Sequence, residues 1–206
     1  MALVEHISAK APEKINFAIE QAIIAGSGVG RPKGILASAG TIVVAEESGQ
    51  TPGTITAANV SKMWNRTLPS ARRSGTWLVN FDADLQLQAL VLPGTAGNVA
   101  AAAPMYQPPT TFAPNGSLLG RPIYFSAASS PVGTVGDIIF GDLSAYITAT
   151  KMMRNDVSIH LWFDYDITAY RFVLRIGGMP WTDTPVPGLQ PGTATRSFFT
   201  ALATRS

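Results

Sequence analysis

The first apolar pattern in the chain predicts a helix over residues 12–25. Its apolar positions recur every three or four residues, the spacing that places side chains on one helix face; they are Ile15, Ala18, Ile19, Ala22 and Ile23. Pro12 suits a first helical turn, because the N–H that proline lacks has no helical partner there. Gly26 suits the C-terminal end of a helix. We therefore expect an amphipathic helix that runs into a Gly-rich turn over 26–34.

Strand and helix patterns then alternate up to residue 92. Residues 41–45 predict a strand, and residues 77–79 predict a buried one. A second helix is predicted after Thr56, because the apolar residues that follow have helical spacing before Pro69 ends them; they are Val60, Met63, Trp64 and Leu68. For a third helix we expect Asp82 as the cap and Pro93-Gly94 as the end; its apolar stripe would be Leu85, Ala89 and Leu92, with Leu87, Leu90 and Val91 alongside.

The pattern changes after residue 92. Residues 93–117 are rich in Ala, Gly, Pro, Thr and Asn, which predicts a long loop or short irregular strands. Five apolar runs then predict strands; they lie at 123–125, 138–140, 146–148, 157–163 and 167–176. Clustered prolines after Gly177-Gly178 predict an extended tail over 179–206. The expected class is therefore α+β with a β-rich second half.

Composition indicates one weakly charged domain. The 206 residues suit a single core, and the absence of cysteine excludes disulfides, thiolate catalysis and Cys-based zinc sites. Only 14% of the residues are charged, against about 25% in ordinary soluble domains. The apolar runs are far shorter than the ~20 residues that span a bilayer, and no secretory signal is visible. We expect a soluble chain that covers its surface with copies of itself.

The basic residues give no nucleic-acid footprint in the sequence. The net charge is +2, and no basic run is longer than Arg72-Arg73. That pair predicts a solvated loop, with a contact to DNA or to a neighbouring subunit as the alternative. The Gly-rich turn is not a phosphate loop, because it follows a helix and Gly34, not Ser or Thr, follows Lys33. We expect a helix C-cap and a turn there.

A metal site is the main catalytic alternative. His160, Asp164 and Asp166 would share one face of an extended strand with Trp162, because side chains alternate with period two. Imidazole and carboxylates suit zinc or iron, so a small metal-dependent hydrolase is one hypothesis. The competing interpretation is a solvated or interface face of a strand that turns near Asp164.

Other chemistry has weaker support in the sequence. No Gly-x-Ser-x-Gly or Ser-x-x-Lys arrangement is present. Asp82 and Asp84 are explained by capping and by solvent. A ligand pocket at the 93–117 loop is supported only by the length of that loop. We therefore name no catalytic, cofactor-binding or metal-binding residue and expect no cofactor and no enzyme.

Four segments, taken in order, resemble the major capsid proteins of tailed bacteriophages. They are 22–28 leading to Pro32-Lys33-Gly34-Ile35-Leu36, then Trp77-Leu78-Val79-Asn80, then 116–123 followed by 136–144, and last Asp166-Ile167-Thr168 with Arg171, Arg175 and Gly177. Each is weak alone, but their order and spacing over residues 15–178 make the resemblance fairly specific.

The resemblance implies a fold with an axial domain, a peripheral domain carrying a long spine helix, an N-terminal arm and an extended loop. It assigns 1–34 to a helix and turn of the peripheral domain and 35–135 mostly to the axial domain. Residues 136–178 would return to the peripheral domain, and 179–206 would form the tail. Met1 falls where a family member is already past its arm, extended loop and spine helix. We therefore expect a truncated reading frame, a processed product or a cloned fragment.

The resemblance also implies a structural role. Copies would self-assemble as pentamers and hexamers into the icosahedral shell that encloses DNA, with scaffold and portal proteins as further partners and no membrane. DNA would be near the chain only non-specifically. The protein would reside in the virion, and in the host bacterial cytoplasm during assembly. A bacterial nanocompartment shell of the same fold is the alternative within this class.

Overall fold

A computed structural model describes residues 2–92, 103–111, 113–188, 190 and 192–205. The helices are α1 (Ala2–Ala25), α2 (Ala57–Arg66), α3 (Pro69–Ser74) and α4 (Asp84–Gln88). The strands are β1 (Ile42–Val44), β2 (Thr76–Val79), β3 (Val91–Leu92), β4 (Ala103–Pro104), β5 (Tyr106–Gln107), β6 (Ser117–Leu118), β7 (Arg121–Phe125), β8 (Ile138–Gly141), β9 (Tyr146–Trp162), β10 (Ile167–Pro180) and β11 (Phe199–Leu202). This mixture of helix and sheet confirms the α+β prediction.

A seven-stranded mixed sheet holds the main core. Its order is β1-β11-β8-β2-β7-β6-β5, and the β1–β11 and β2–β7 pairs are parallel. Trp77 and Phe140 are fully buried on neighbouring strands, with ring centroids 4.4 Å apart. The indole Nε1 of Trp77 donates to the carbonyl of Leu118 at 2.9 Å, so the buried polar atom is satisfied. The predicted strands around residues 42–44, 77–79, 123–125 and 138–140 are all confirmed in this sheet.

The prediction of an extended tail over 179–206 is wrong in its last part. Strand β11 lies inside the sheet between β1 and β8, and all four of its residues are buried. The long-range pairs Thr200 with Phe140 and Ile42 with Thr200 connect distant parts of the chain. Such pairing has no local sequence signal, whereas the prolines before it do. The C-terminal residues therefore complete the core.

Helix α1 begins ten residues earlier than predicted. It has 24 residues, and Pro12 lies inside it and not in its first turn. Proline removes one hydrogen bond of a helix interior, but alanine, lysine and glutamate around it favour helix. Residues 2–11 therefore extend the predicted helix toward the N-terminus. No helix among the described residues is long and apolar enough to cross a membrane.

Helix α2 agrees with the sequence. Thr56 caps it: its Oγ accepts from the N–H of Asn59 at 3.3 Å, and Asn59 Oδ1 accepts from the N–H of Thr56 at 3.0 Å. This reciprocal arrangement pairs two donors that the first helical turn leaves free. Pro69 ends the helical pattern as expected, and it opens the short helix α3.

Arg72-Arg73 does not form the predicted solvated loop. Both residues lie in α3, and Arg72 Nη2 donates to the carbonyl of Asn65 at 3.0 Å. The Arg72 guanidinium also lies 5.4 Å from the ring centroid of Trp64, a cation–π contact. Partial burial, and secondarily the charge of Arg196, lower the pKa of Arg72.

The predicted third helix is largely wrong. Asn80, not Asp82, is the cap: its Oδ1 accepts from the N–H of Asp82 at 2.9 Å, at the start of a single 3-10 turn. Helix α4 then ends at Gln88, and β3 takes the place of its last turn. Leu87 and Leu90 are buried, while all three residues of the predicted stripe are exposed; these are Leu85, Ala89 and Leu92. Burial of Leu87 and Leu90 therefore determines the local structure.

Strands β9 and β10 leave the sheet as a separate antiparallel ribbon. The predicted strand at 146–148 and all but the last residue of the one predicted at 157–163 are parts of one 17-residue strand, and Phe163 begins the turn that follows. The base of the ribbon is tied to the turn after α1, since the Lys33 N–H donates to the Gly178 carbonyl at 2.8 Å and Tyr146 Oη donates to the Lys33 carbonyl at 2.9 Å. Burial raises the pKa of Tyr146. The rest of the ribbon extends beyond this anchor.

Candidate functional site

The ribbon of β9, β10 and the turn between them carries 11 of the 24 large apolar side chains that are exposed among the described residues. Their alternation along the strands places apolar groups on both faces. They include Met152, Val157, Ile159, Leu161, Trp162, Phe163, Tyr165 and Ile167. Exposed apolar surface of this kind typically marks a protein–protein contact. We call this segment, residues 146–180, the ribbon.

The end of the ribbon is a short turn with an aromatic surface. Phe163 to Tyr165 form one 3-10 turn, and Asp166 closes it in the left-handed conformation at φ 53°. Asp adopts this conformation more readily than most residues. Phe163 and Tyr165 are each 76% exposed. We call residues 162–167 the tip.

One face of the ribbon packs on α1 and forms a groove of about 720 Å³, in which Gln21, Arg31 and Arg175 lie beside apolar side chains. Its apolar lining comes from both elements; it includes Ile15, Ile19, Ala22, Phe172, Leu174 and Ile176. The helix residues belong to the apolar stripe that the sequence predicted. Helix α1 contacts β10, and nearly every residue of β9 is exposed.

The strand face predicted for a metal site does not form. β9 ends at Trp162, so Asp164 and Asp166 lie in the turn beyond it and do not share a strand face with His160. All three side chains are exposed. Within the described ranges, no group of three or more His, Asp or Glu side chains is close enough to hold a metal ion.

The Gly-rich turn forms the predicted helix C-cap and turn. Gly26 N–H donates to the Ala22 carbonyl at 2.9 Å, and Gly34 N–H donates to the Gly26 carbonyl at 2.8 Å. A Cβ at Gly26 would lie 2.2 Å from the Pro32 carbonyl oxygen. The glycine is therefore explained by the close return of the chain, without any phosphate.

The predicted ligand pocket at 93–117 falls partly outside the described residues, which omit 93–102 and 112. The described remainder holds β4, β5 and β6, and Met105 and Leu118 contribute to the core. The pocket stays a prediction.

Asp84 makes a local contact at the surface of α4, where its Oδ2 accepts from Gln88 Nε2 at 3.1 Å.

Asp142 is a polar group with a defined role at the base of the ribbon. Burial by itself raises the pKa of this carboxyl, but hydrogen bonds from Ser74 and Ser144 and the charge of Arg121 outweigh it and lower the pKa. The Ser144 N–H donates at 2.9 Å and starts the 3-10 turn that leads into β9. The carboxylate therefore organises the point where the ribbon leaves the sheet.

The ribbon has a signal in the sequence, which is a long stretch of apolar and aromatic residues. Residues 157–167 are rich in apolar and aromatic residues, and the apolar run that follows at 167–176 pairs with them edge to edge through the backbone, which leaves their side chains uncovered. The composition of such a run, taken alone, predicts a buried strand. The structure places it on the outside.

Comparison with known proteins gives one family and a consistent fold. Residues 1–189 match the model of the phage capsid family. The chain resembles the capsid of an empty GTA particle computed with C5 symmetry, at TM-score 0.62 and 16% identity, over 98% of this chain and 66% of that one. The capsid of the native GTA particle gives TM-score 0.61 and 16% identity, over 98% and 65%. No curated protein matches the chain.

These matches confirm the fold predicted from the four segments. At 16% identity, the structural similarity shows the fold alone. The chain spans just under two thirds of the length of both GTA capsid chains.

Proposed function

Because the chain belongs to the phage capsid family, we propose that it is a structural subunit of a tailed-phage type of head, and that its copies assemble into a closed shell. The observation that carries this proposal is the ribbon, whose apolar side chains face outward on both sides of a two-stranded structure. A lone monomer rarely exposes so much contiguous apolar surface. A second copy would cover it.

The low charge of the chain supports the same role. Only 14% of residues are charged, so the chain has few groups that would keep a surface of this size hydrated as a monomer. Interfaces between proteins are enriched in aromatic residues, Met and Arg. Ribbon residues such as Trp162, Met152 and Arg171 are of these types and are exposed.

We propose a division into two structural parts, which share one buried apolar cluster that includes Ile24, Ile139, Tyr146 and Phe199. The seven-stranded sheet with α2, α3 and α4 would be the axial part, and it includes β8 and β11. Helix α1 and the ribbon would be the peripheral part. This changes the boundaries expected from the sequence, because β8 and β11 pair with β2 and β1 inside the sheet.

The proposed partners are other copies of the chain in pentamers and hexamers, since closed rings use head-to-tail contacts between different faces of one subunit. Scaffold and portal proteins are proposed as further partners, and packaged DNA as a non-specific neighbour. The matches point to a structural, non-enzymatic protein, and we propose that it has no catalytic activity. Its place would be the virion, after assembly in the host cytoplasm.

Sedimentation velocity over a wide range of concentrations, with negative-stain electron microscopy of the same samples, tests the proposal. We expect species much larger than a monomer, with rings or closed particles on the grids. A single monomeric boundary at every concentration, with no particles, would contradict the proposed function. Dilution separates assembly from aggregation, because only ordered assembly is expected to reverse on dilution.

A further inference from the structure

The ribbon brings together basic residues that are far apart in the sequence. In the register of β9 and β10, Arg171 lies opposite Asp156, Val173 opposite Arg154, and Arg175 opposite Lys151. Directly opposite residues point to the same face, and residues two apart on one strand do so as well. All of these residues except Asp156 line a shallow cleft, together with Met152. We call this set the basic face.

The basic face lacks enough carboxylate to balance its charge. Arg154 pairs with Asp156 at 2.7 Å, and this is the one ion pair that the described residues provide for the four cations. Arg175 and Lys151 are like charges in directly opposite positions, an arrangement that destabilises a strand pair. An anionic partner would remove that repulsion. The face is therefore suited to bind negative charge from outside the monomer.

The tip of the same ribbon has the complementary chemistry. Asp164 and Asp166 are exposed, and neither carboxylate forms an ion pair or hydrogen bond with another described side chain. Beside them stand the exposed rings of Trp162, Phe163 and Tyr165. Carboxylates and aromatic faces are the two groups that guanidinium binds best. One ribbon thus carries both halves of a contact.

We propose that the tip of one copy docks on the basic face of a second copy. This rests on the proposed function, and it names the surface and the chemistry of one contact between subunits. Arg171 lies four residues from Ile167, or about 14 Å along the strand. A tip therefore cannot fold back onto its own basic face, whereas two antiparallel ribbons place each tip near the basic face of the other. Reciprocal contacts of this kind are typical of self-complementary interfaces.

Apolar side chains in the basic face favour a protein partner over nucleic acid. Val173 and Met152 lie among the cations, and Met152 is 91% exposed. Phosphate backbones offer such side chains nothing to pack on, whereas the rings of the tip do. Protein interfaces combine Arg and Met with aromatic residues in this way.

Charge reversal on each side, followed by both sides together, tests the contact. One variant carries Arg171→Glu with Arg175→Glu, a second carries Asp164→Lys with Asp166→Asn, and a third carries all four changes. Asn is chosen at 166 because it tolerates the left-handed backbone. We expect the first two variants to self-associate at least tenfold more weakly than the wild type in sedimentation velocity. The combined variant should recover most of the association.

The controls separate this contact from folding and from net charge. Lys14→Glu with Arg73→Glu alters the net charge as much as the first variant does, at exposed residues outside the ribbon, and it should leave association unchanged. Thermal unfolding of every variant shows whether it is folded. Raising the salt concentration should weaken wild-type association, because exposed charges are screened.

The outcomes distinguish the inference from the proposed function. Association that is unchanged in the first two variants, or not restored by the combined one, overturns the tip contact and leaves the shell function standing. A wild type that stays monomeric overturns both. Binding of a fluorescent DNA duplex that is lost with the Arg171 and Arg175 changes, while self-association stays unchanged, assigns the face to nucleic acid and overturns this proposal.

Discussion

The Arg205 guanidinium forms an ion pair with the Asp137 carboxylate, and both side chains are fully buried. Asp137 also accepts from the N–H groups of Gly133 and Ile138, at 3.0 and 2.8 Å. The Arg205 backbone joins the same contact, because its N–H donates to the Gly133 carbonyl at 2.9 Å. The C-terminal end of the chain is thereby held against the loop that precedes β8.

Replacing Arg205 by Ala should reduce the free energy of unfolding by about 3–5 kcal/mol, because it leaves the Asp137 carboxylate buried without its cation. Urea unfolding followed by circular dichroism measures this. Arg31→Ala removes an exposed arginine and should change stability by no more than about 0.5 kcal/mol. The double variant Asp137→Asn, Arg205→Met should lose less than Arg205→Ala. Equal effects for Arg205→Ala and Arg31→Ala would contradict the account.

Ser74→Ala should raise the pKa of Asp142, since it removes one of the hydrogen bonds that favour the ionised carboxylate. The folded pKa of Asp142 lies below its unfolded value. Its contribution to stability is therefore present above the unfolded pKa and is lost as pH falls through the folded pKa. The stability difference between wild type and Ser74→Ala should accordingly be larger at neutral pH than in acid.

Unfolding measured across that pH range, with an NMR titration of the carboxyl, tests this expectation. Ser70→Ala is the matched control, because Ser70 is an exposed serine of the same helix. A stability difference that does not vary with pH would count against the role given to Ser74.

Thr56→Ala should destabilise the protein by about 1 kcal/mol through loss of the helix cap. Thr56→Ser keeps the hydroxyl and should retain most of the stability, and Thr51→Ala provides an exposed threonine as control. Chemical denaturation of the three variants gives the comparison. The cap is unimportant if Thr56→Ala and Thr51→Ala behave alike.

Phe163→Ser with Tyr165→Ser should weaken self-association without lowering stability, because both rings are exposed in the monomer. Val29→Ser, at a residue 82% exposed outside the ribbon, is the control for loss of apolar surface. Sedimentation velocity and thermal unfolding are measured on the same samples. If the control weakens association as much as the tip variant, the tip has no special role.

Local signals in the sequence predicted the elements that local physics determines. Thr56 caps the start of α2, and Pro69 begins α3. Residues 77–79 form the strand that their apolar character predicts. The third helix failed because Leu87 and Leu90 compete with Leu85 for the core, and only the fold decides between them.

Long-range relationships could not be read from the sequence. β11 acquires its place through pairing with β1 and β8, which has no counterpart in local spacing. The basic face depends on a register with two irregularities between β9 and β10, so Lys151 and Arg175 are brought opposite each other by bulges. The capsid fold was recognised from four ordered segments, whereas its exposed contact surface required the structure.

The central claim is that copies of this chain form a shell through the ribbon. A cryo-electron microscopy reconstruction of particles assembled from the chain tests it most directly. The account predicts a closed shell in which residues 146–180 lie against another copy. Closed particles that leave the ribbon exposed to solvent, or a preparation that contains only monomers, would contradict it.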